Sequence, residues 1–206
     1  VVAYGQIIPK SILESCKLGF INIHASLLPK YRGAAPIQRS LINLEKFTGI
    51  SFMKLNNVLD SGPIFNQYKI PINKTDNSET LSKKLSELSA EKITQNIELI
   101  FSNKATFVDQ THNEASYAEK INKMEGKINW NESALNIMGK INGLFPNPGA
   151  WFEFKKERYK IVKSELSEST GKPGEVIDDL LAVACGKNSI SCLLYTSPSP
   201  RDRRLS

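Results

Sequence analysis

Short apolar runs alternate with a short helical segment at the start of the chain, and this alternation restricts the possible folds more than any other feature. Residues 1–4 and 19–24 are predicted strands, and residues 9–16 between them are a predicted short helix. From Ser78 onward, apolar residues at helical spacing predict a long helix, with Ser78 or Thr80 as its N-terminal cap. Strands and helices that alternate through short connections are typical of an α/β domain.

A second, smaller unit is predicted after a change of composition near residue 104. Residues 106–126 are polar and lack a long period, which is typical of a linker. Residues 127–192 contain a predicted helix, a hairpin that turns near 155–157, and two short strands within 174–192. We therefore expect an α/β domain over 1–105, a linker over 106–126 and a small β-rich domain over 127–192.

Both ends of the chain are expected to be cut. The sequence begins inside a predicted strand without an initiator methionine, so we expect upstream sequence to be missing. Residues 193–206, which end in "SPSPRDRRLS", resemble translated vector sequence and are left out of the fold prediction. A native disordered basic tail is the alternative for these residues.

The composition, 40% hydrophobic and 23% charged, is that of a globular protein. The net charge of +6 permits an anionic partner such as RNA without requiring one. Three cysteines without a CxxC spacing indicate neither a disulfide framework nor a zinc site. No window of eighteen apolar residues occurs and no charged-then-apolar leader opens the chain. These features predict a cytoplasmic protein that does not enter a membrane.

Asn22 and His24 end the second predicted strand and are the first candidates for chemistry. Side chains alternate faces along a strand, so the two project the same way, about 6 to 7 Å apart at about 3.3 Å per residue. Strand ends of open α/β sheets are common ligand sites. An amide and an imidazole there could stabilise a carbonyl oxygen as it becomes negative. The alternative is a hydrogen-bonded structural histidine.

Asp60, in a loop between two predicted strands, is the third candidate. Its carboxylate could keep His24 charged and accept a proton from an attacking amine. An Asx turn before Ser61 and Gly62 is the alternative. The residues alone leave this choice open.

Two motifs settle the interpretation by resemblance. "NIHASLLPKYRGAAPIQRSL" and "LDSGPIF" resemble the folate-dependent formyltransferase family. The resemblance implies that Asn22, His24 and Asp60 form the catalytic set. It also implies the fold: the second half of a doubly wound, Rossmann-like α/β domain, followed by the start of an OB-like barrel.

The same resemblance implies the donor and its contacts. The donor would be 10-formyltetrahydrofolate, and no metal would be needed. The pterin would lie against the backbone of one segment and beside one loop, formed respectively by Tyr4, Gly5, Gln6 and Ile7 and by Ser26, Leu27, Leu28 and Pro29.

The acceptor is narrowed by further motifs. "RGAAPIQRSL", "SYAEKINKMEGKINW" and "NGLFPNPGAWF" most resemble the monomeric family members that formylate methionine carried by initiator tRNA, although Asn142 stands where those members have arginine. Residues 116–163 carry nine Lys and Arg against five Asp and Glu, an excess of four that suits phosphate contacts. The expected tRNA contacts are Lys30, Arg32, Lys155, Lys156 and Arg158. The alternatives are a formyltransferase for a small nucleotide or sugar-nucleotide amine and a non-catalytic RNA-binding protein.

Overall fold

The computed structural model describes residues 8–179 and 181–195. These residues form two compact units, residues 8–40 with 45–120 and residues 41–44 with 121–195 apart from 180. The predicted strand over 1–4 and the predicted folate contacts Tyr4, Gly5, Gln6 and Ile7 lie outside the described residues. The predicted domain limits near residues 105 and 127 stay a prediction.

The first unit is built on a three-stranded antiparallel sheet in the order β1-β2-β3. Its helices and strands are α1 (Lys10–Leu13), β1 (Ile21–His24), α2 (Pro36–Ile42), β2 (Phe47–Lys54), β3 (Ile64–Pro71) and α3 (Ser78–Phe101). In β1, Asn22 lies opposite Met53 and His24 opposite Ser51. The residue pattern predicted these strands but not their antiparallel direction, because alternation of side chains is the same in either direction.

Helix α3 covers the sheet with its apolar side, as its spacing predicts. Leu81 and Leu85 are buried, with exposures of 0% and 2%. The predicted cap was wrong by one residue. Asn77 is the N-cap: its side chain accepts a hydrogen bond from the Thr80 backbone, and the Thr80 hydroxyl accepts one from the Asn77 backbone. This reciprocal pair satisfies two backbone donors that the first helical turn leaves free.

Residues 106–120 of the segment predicted as a linker belong to the first unit and are joined to it by backbone pairing. Val108 pairs with Ile64, and Tyr117 pairs with Arg32. A short 3-10 turn, His112–Glu114, lies between these two bridges. The polar composition of this segment therefore reflects hydrogen bonding to the first unit and not only exposure to solvent.

The second unit is a four-stranded antiparallel sheet in the order β4-β5-β7-β6, packed on one helix. Its elements are α4 (Ala134–Leu144), β4 (Ala150–Phe154), β5 (Glu157–Ser167), β6 (Ala182–Ala184) and β7 (Ser189–Tyr195). Ser133, one of the two predicted caps, accepts a hydrogen bond from the Asn136 backbone and begins α4. The hairpin turn lies at Lys155 and Lys156, both with positive φ, as predicted.

The core of this unit is formed by one face of α4 and the inward residues of the strands. Its buried members include Ile128, Ala134, Ile137, Ile141, Ala150, Ile161, Val183, Cys185, Ile190 and Cys192, with Trp130 and Phe152 packed at its edge. Burial of these side chains supplies most of the driving force for this unit.

The two short strands predicted within 174–192 are confirmed as β6 and β7, and Val176 makes only an isolated bridge to Val183. One predicted strand limit in this region was wrong. Strand β7 does not stop at Cys192, because Leu193, Leu194 and Tyr195 pair with β5. The backbone donors of β5 are thereby paired further along the strand than the sequence indicated. Among the helices that the structure describes, none has the length and apolar character needed to cross a membrane.

Candidate active site

Asn22, His24 and Asp60 line one cavity of about 770 Å³ in the first unit. Strand β1 carries the first two, and the loop between β2 and β3 supplies the third; Ile23, which alternation predicts on the other face of β1, lines the cavity as well. The sequence therefore located three residues that the fold brings to one place, although they are 38 positions apart at the extremes.

His24 is fixed by a hydrogen bond on one side of its ring. Its side chain is buried, and its Nε2 lies 2.8 Å from the backbone oxygen of Tyr31. A carbonyl oxygen only accepts, so Nε2 carries the hydrogen of this bond. The other nitrogen, Nδ1, lies 3.6 Å from Oδ2 of Asp60. The Nδ1 edge is therefore the part of the ring left for chemistry.

Asp60 is held by a hydrogen bond from the backbone. The Gly33 N–H donates to Asp60 Oδ2 at 2.8 Å. Asp60 itself has a φ of 46°, in the left-handed region that aspartate tolerates better than most residues. The carboxylate is thus placed between a backbone donor and the imidazole by two elements far apart in sequence.

Gln110 is a residue that the sequence analysis missed, because it lies in the polar segment predicted as a linker. Its side-chain amide donates to the backbone oxygens of Asp60 at 2.9 Å and Gly62 at 2.7 Å. Its Oε1 accepts from Nε and Nη2 of Arg32 at 3.0 and 2.6 Å. A glutamine flanked by turn-forming and polar residues carries no sequence signal for such a role.

Arg32 does not have the exposed position expected of a phosphate contact. It is 2% exposed, and Gln110 and His112 surround its guanidinium. The expected tRNA contact at Arg32 is therefore corrected: this side chain points into the first unit and braces the segment around Gln110. Lys30, two residues earlier, is exposed, and its proposed contact stays a prediction.

The loop of Ser26, Leu27, Leu28 and Pro29 lies beside the cavity but does not line it. One hydrogen bond lies within this part of the chain, from the Ser26 hydroxyl to Lys30 O, and another ties the loop to β2, from the Ser51 hydroxyl to Ser26 O. Leu28 is buried, and its N–H donates to the Ser51 hydroxyl. A direct folate contact by these four residues stays a prediction.

The cavity wall contains apolar residues that the sequence analysis did not select. Val58 and Leu59 are 59% and 54% exposed, yet both line the cavity. Ile8, the first described residue, also lines it. Exposed aliphatic side chains next to a partly buried carboxylate provide a surface for a flat apolar ligand. The signal that could have identified them is the apolar pair directly before Asp60.

The second unit carries the predicted basic hairpin on its surface. Lys155, Lys156 and Arg158 are all exposed. The Arg158 guanidinium lies 3.4 Å from the centre of the Trp151 ring, a distance typical of a cation–π contact. Lys155 Nζ lies 5.3 Å from the centre of the Phe154 ring, and Lys156 follows it in the turn between β4 and β5.

No cluster of three or more His, Cys, Asp and Glu side chains that could hold a metal occurs within residues 8–179 and 181–195. The expectation that no metal is needed stays a prediction.

Comparison with known protein families identifies both units. A family model described as Formyl transferase matches residues 1–97, and one described as Formyl transferase, C-terminal domain, matches residues 120–198. The chain is 60% identical over 186 residues to a methionyl-tRNA formyltransferase of Pelagibacter ubique, covering 90% of this chain and 60% of that protein. It is 51% identical over 177 residues to one of Thermodesulfovibrio yellowstonii, covering 86% and 57%. The chain thus spans less than two thirds of these relatives.

A solved structure is similar as well. The N-formyltransferase of Helicobacter canadensis, in complex with folinic acid and dTDP-3-aminofucose, matches with a TM-score of 0.72 and 25% identity. The match covers 85% of this chain and 66% of that one. This similarity agrees with the α/β first unit and the β-rich second unit.

Proposed function

We propose that this chain, which belongs to the formyl transferase family, comes from an enzyme that transfers the formyl group of 10-formyltetrahydrofolate to the α-amine of methionine on initiator tRNA. The observation that carries the proposal is the placement of His24 Nδ1 3.6 Å from Asp60 Oδ2, in a cavity that Asn22 also lines. An amide, an imidazole and a carboxylate together suit acyl transfer to an amine.

The cavity fits a folate donor in size and character. Its volume of about 770 Å³ lies within the range of about 300 to 1,000 Å³ that is typical of small-molecule sites. Val58 and Leu59 offer apolar contact for a flat ring. Ile8 lines the cavity directly after the segment Tyr4, Gly5, Gln6 and Ile7, for which we propose backbone contacts to the pterin. The donor supplies the activated formyl group.

The three polar side chains have separate roles in this mechanism. The Asn22 amide and the Nδ1–H of protonated His24 stabilise the negative charge that develops on the formyl oxygen when the amine attacks, and the Asp60 carboxylate supports the charge on His24. His24 uses Nδ1 because its Nε2–H is bonded to Tyr31. Asp60 accepts, directly or through water, the proton that the amine loses. A new C–N bond forms to the amine, the bond to the folate nitrogen breaks, and that nitrogen takes up a proton.

The choice of acceptor rests on the comparisons and on the charge of the second unit. The relatives at 60% and 51% identity are methionyl-tRNA formyltransferases, whereas the structure with a sugar nucleotide is only 25% identical. Exposed Lys155, Lys156 and Arg158 provide cations that suit RNA phosphates. Lys30 on the first unit is a further proposed contact.

The full-length protein tests this proposal when it is offered several acceptors with 10-formyltetrahydrofolate. We expect formyl transfer to methionyl initiator tRNA and none to glycinamide ribotide or a dTDP-amino sugar. Preferential transfer to the sugar nucleotide would move the function to that class, which the similarity to the Helicobacter canadensis enzyme makes the second candidate. Binding of tRNA without transfer, unaffected by His24→Ala, would identify a non-catalytic RNA-binding protein.

A further inference from the structure

The side chain of Gln110 joins the two parts of the first unit that hold Asp60. Its NH₂ group donates to the backbone oxygens of Asp60 and Gly62, and its Oε1 accepts two hydrogen bonds from Arg32. The orientation of the amide is determined, because carbonyl oxygens only accept and a guanidinium only donates. The NH₂ group and Oε1 each have two hydrogen-bond partners, and a flipped amide would place donor against donor and acceptor against acceptor.

These contacts close a ring around the carboxylate. Asp60 Oδ2 accepts from Gly33 N, Gly33 follows Arg32 in the chain, Arg32 holds Gln110, and Gln110 holds the Asp60 backbone. Gln110 is 6% exposed and Arg32 is 2% exposed, so these bonds form in a largely dry interior, where hydrogen bonds are stronger than in water. Loss of Gln110 would remove the two side-chain hydrogen bonds that hold the backbone at Asp60 and Gly62.

The pairing of Arg32 also bears on the role of the amide. Among the residues that the structure describes, its guanidinium forms hydrogen bonds with Gln110 and His112, and neither side chain is a carboxylate. A glutamate at position 110 would pair with Arg32 more strongly than glutamine does, since charge-assisted bidentate bonds are the stronger kind. It would, however, donate nothing to Asp60 and Gly62 when ionised. The backbone oxygens of Asp60 and Gly62 need a donor, which an amide supplies and an ionised carboxylate does not.

We propose that Gln110 is a positioning residue, which sets the distance of the Asp60 carboxylate from His24 and does not itself touch the substrate. This inference rests on the proposed formyl transfer. A displacement of a catalytic group by about 1 Å can cost about a hundredfold in rate. Gln110→Glu keeps the size and the contact to Arg32, and it replaces the two donors to the loop by a carboxylate oxygen that repels the carbonyl oxygens of Asp60 and Gly62.

Asn96 provides a matched control. It is a fully buried amide in the same unit, and it donates to the Tyr68 hydroxyl and to Lys92 O. Neither Asn96 nor these two partners line the cavity. Asn96→Asp makes the same chemical change, from amide to carboxyl, at a residue outside the cavity wall. Both variants should lower the melting temperature, but only Gln110→Glu should change the rate of transfer.

The test is a double-mutant cycle in the full-length protein, with single-turnover formylation of methionyl-tRNA as the readout. We expect Gln110→Glu to slow the wild-type reaction about tenfold to a hundredfold. In the Asp60→Asn background it should slow the reaction by less than about threefold, because the group that it positions is already lost. Equal losses in both backgrounds, or a loss no larger than that of Asn96→Asp, would overturn the proposal.

Hydrogen exchange at the Gly33 amide gives a second measurement that does not need activity. Because this N–H donates to Asp60, its exchange should speed up in Gln110→Glu and remain slow in Asn96→Asp. Unchanged exchange in Gln110→Glu would contradict the positioning role even if the wild type transfers no formyl group. Failure of the wild type on every acceptor would instead refute the proposed function. If Gln110→Glu does not fold, Arg32→Lys, which removes the forked contact to Gln110, should raise exchange at Gly33 in the same way.

Discussion

Gly33→Ala should destabilise the first unit and displace Asp60. Gly33 has a φ of 115°, where L-residues are rare, and its N–H is the donor to Asp60. A Cβ added at this position would lie 2.9 Å from the backbone oxygen of Ala118. That oxygen cannot move away freely, because it accepts from the Ala35 N–H at 3.1 Å.

The magnitude follows from two contributions. Holding a residue in such a sparsely populated backbone region costs about 1 to 3 kcal/mol. Losing the hydrogen bond between Ala35 and Ala118 adds about 1 kcal/mol. The reduced freedom of the unfolded chain with alanine returns about 0.4 to 1 kcal/mol. We therefore expect a net loss of about 1 to 3.6 kcal/mol, which leaves a domain of ordinary stability folded at 25 °C.

Gly19→Ala is the matched control. Gly19 also has a positive φ, 75°, but a Cβ there would have nothing within 4 Å. Its expected loss is about 1 kcal/mol or less, since only the backbone contribution applies, offset by the unfolded chain. Urea unfolding followed by circular dichroism measures both, and formylation measures the displacement of Asp60. A loss for Gly33→Ala no greater than for Gly19→Ala would refute this reasoning.

Three further predictions concern the helix cap, a buried thiol and the basic hairpin. Asn77→Ala should lower the free energy of unfolding by about 1 kcal/mol through loss of the capping box, whereas Gln95→Ala, exposed in the middle of α3, should change it by less than about 0.5 kcal/mol in urea unfolding. Burial raises the pKa of the Cys192 thiol to about 12, above its ordinary value of 9.0. The contribution of the neutral thiol to the free energy of unfolding is therefore fully present below pH 9.0 and should fall as the pH rises from there toward 12. Over this pH range, the free energy of unfolding should change less with pH in Cys192→Ala than in the wild type. Lys156→Gln should reduce the slope of log tRNA affinity against log salt by about 1, and Lys83→Gln, exposed on α3, should leave it unchanged.

Local patterns predicted the elements that depend on local chemistry. The apolar spacing of α3, the Ser133 cap and the turn at Lys155 and Lys156 follow from residues close together in sequence. Asn22 and His24, selected on one predicted strand, both line the cavity, although Ile23 between them does so too. Such features need only the period of a helix or strand and the preferences of caps and turns.

Features that depend on distant partners could not be predicted. Arg32 and Gln110 are 78 positions apart, and each resembles an exposed polar residue until the other is placed beside it. The antiparallel order of the first sheet and the continuation of β7 through Tyr195 also depend on which strand lies alongside. Tertiary context decides these features, and a single sequence gives no measure of it.

The rate of a single turnover by the full-length protein, compared between wild type and the variants Asn22→Ala and His24→Ala, tests the central claim most directly. Each side chain lines the cavity, and each is proposed to stabilise the developing oxyanion. Removal of one such donor typically costs about a hundredfold to a thousandfold. We predict losses of at least about a hundredfold in each variant, with the affinity for the folate donor little changed. Formyl transfer at the wild-type rate by either variant would contradict the assignment of this cavity as the catalytic site.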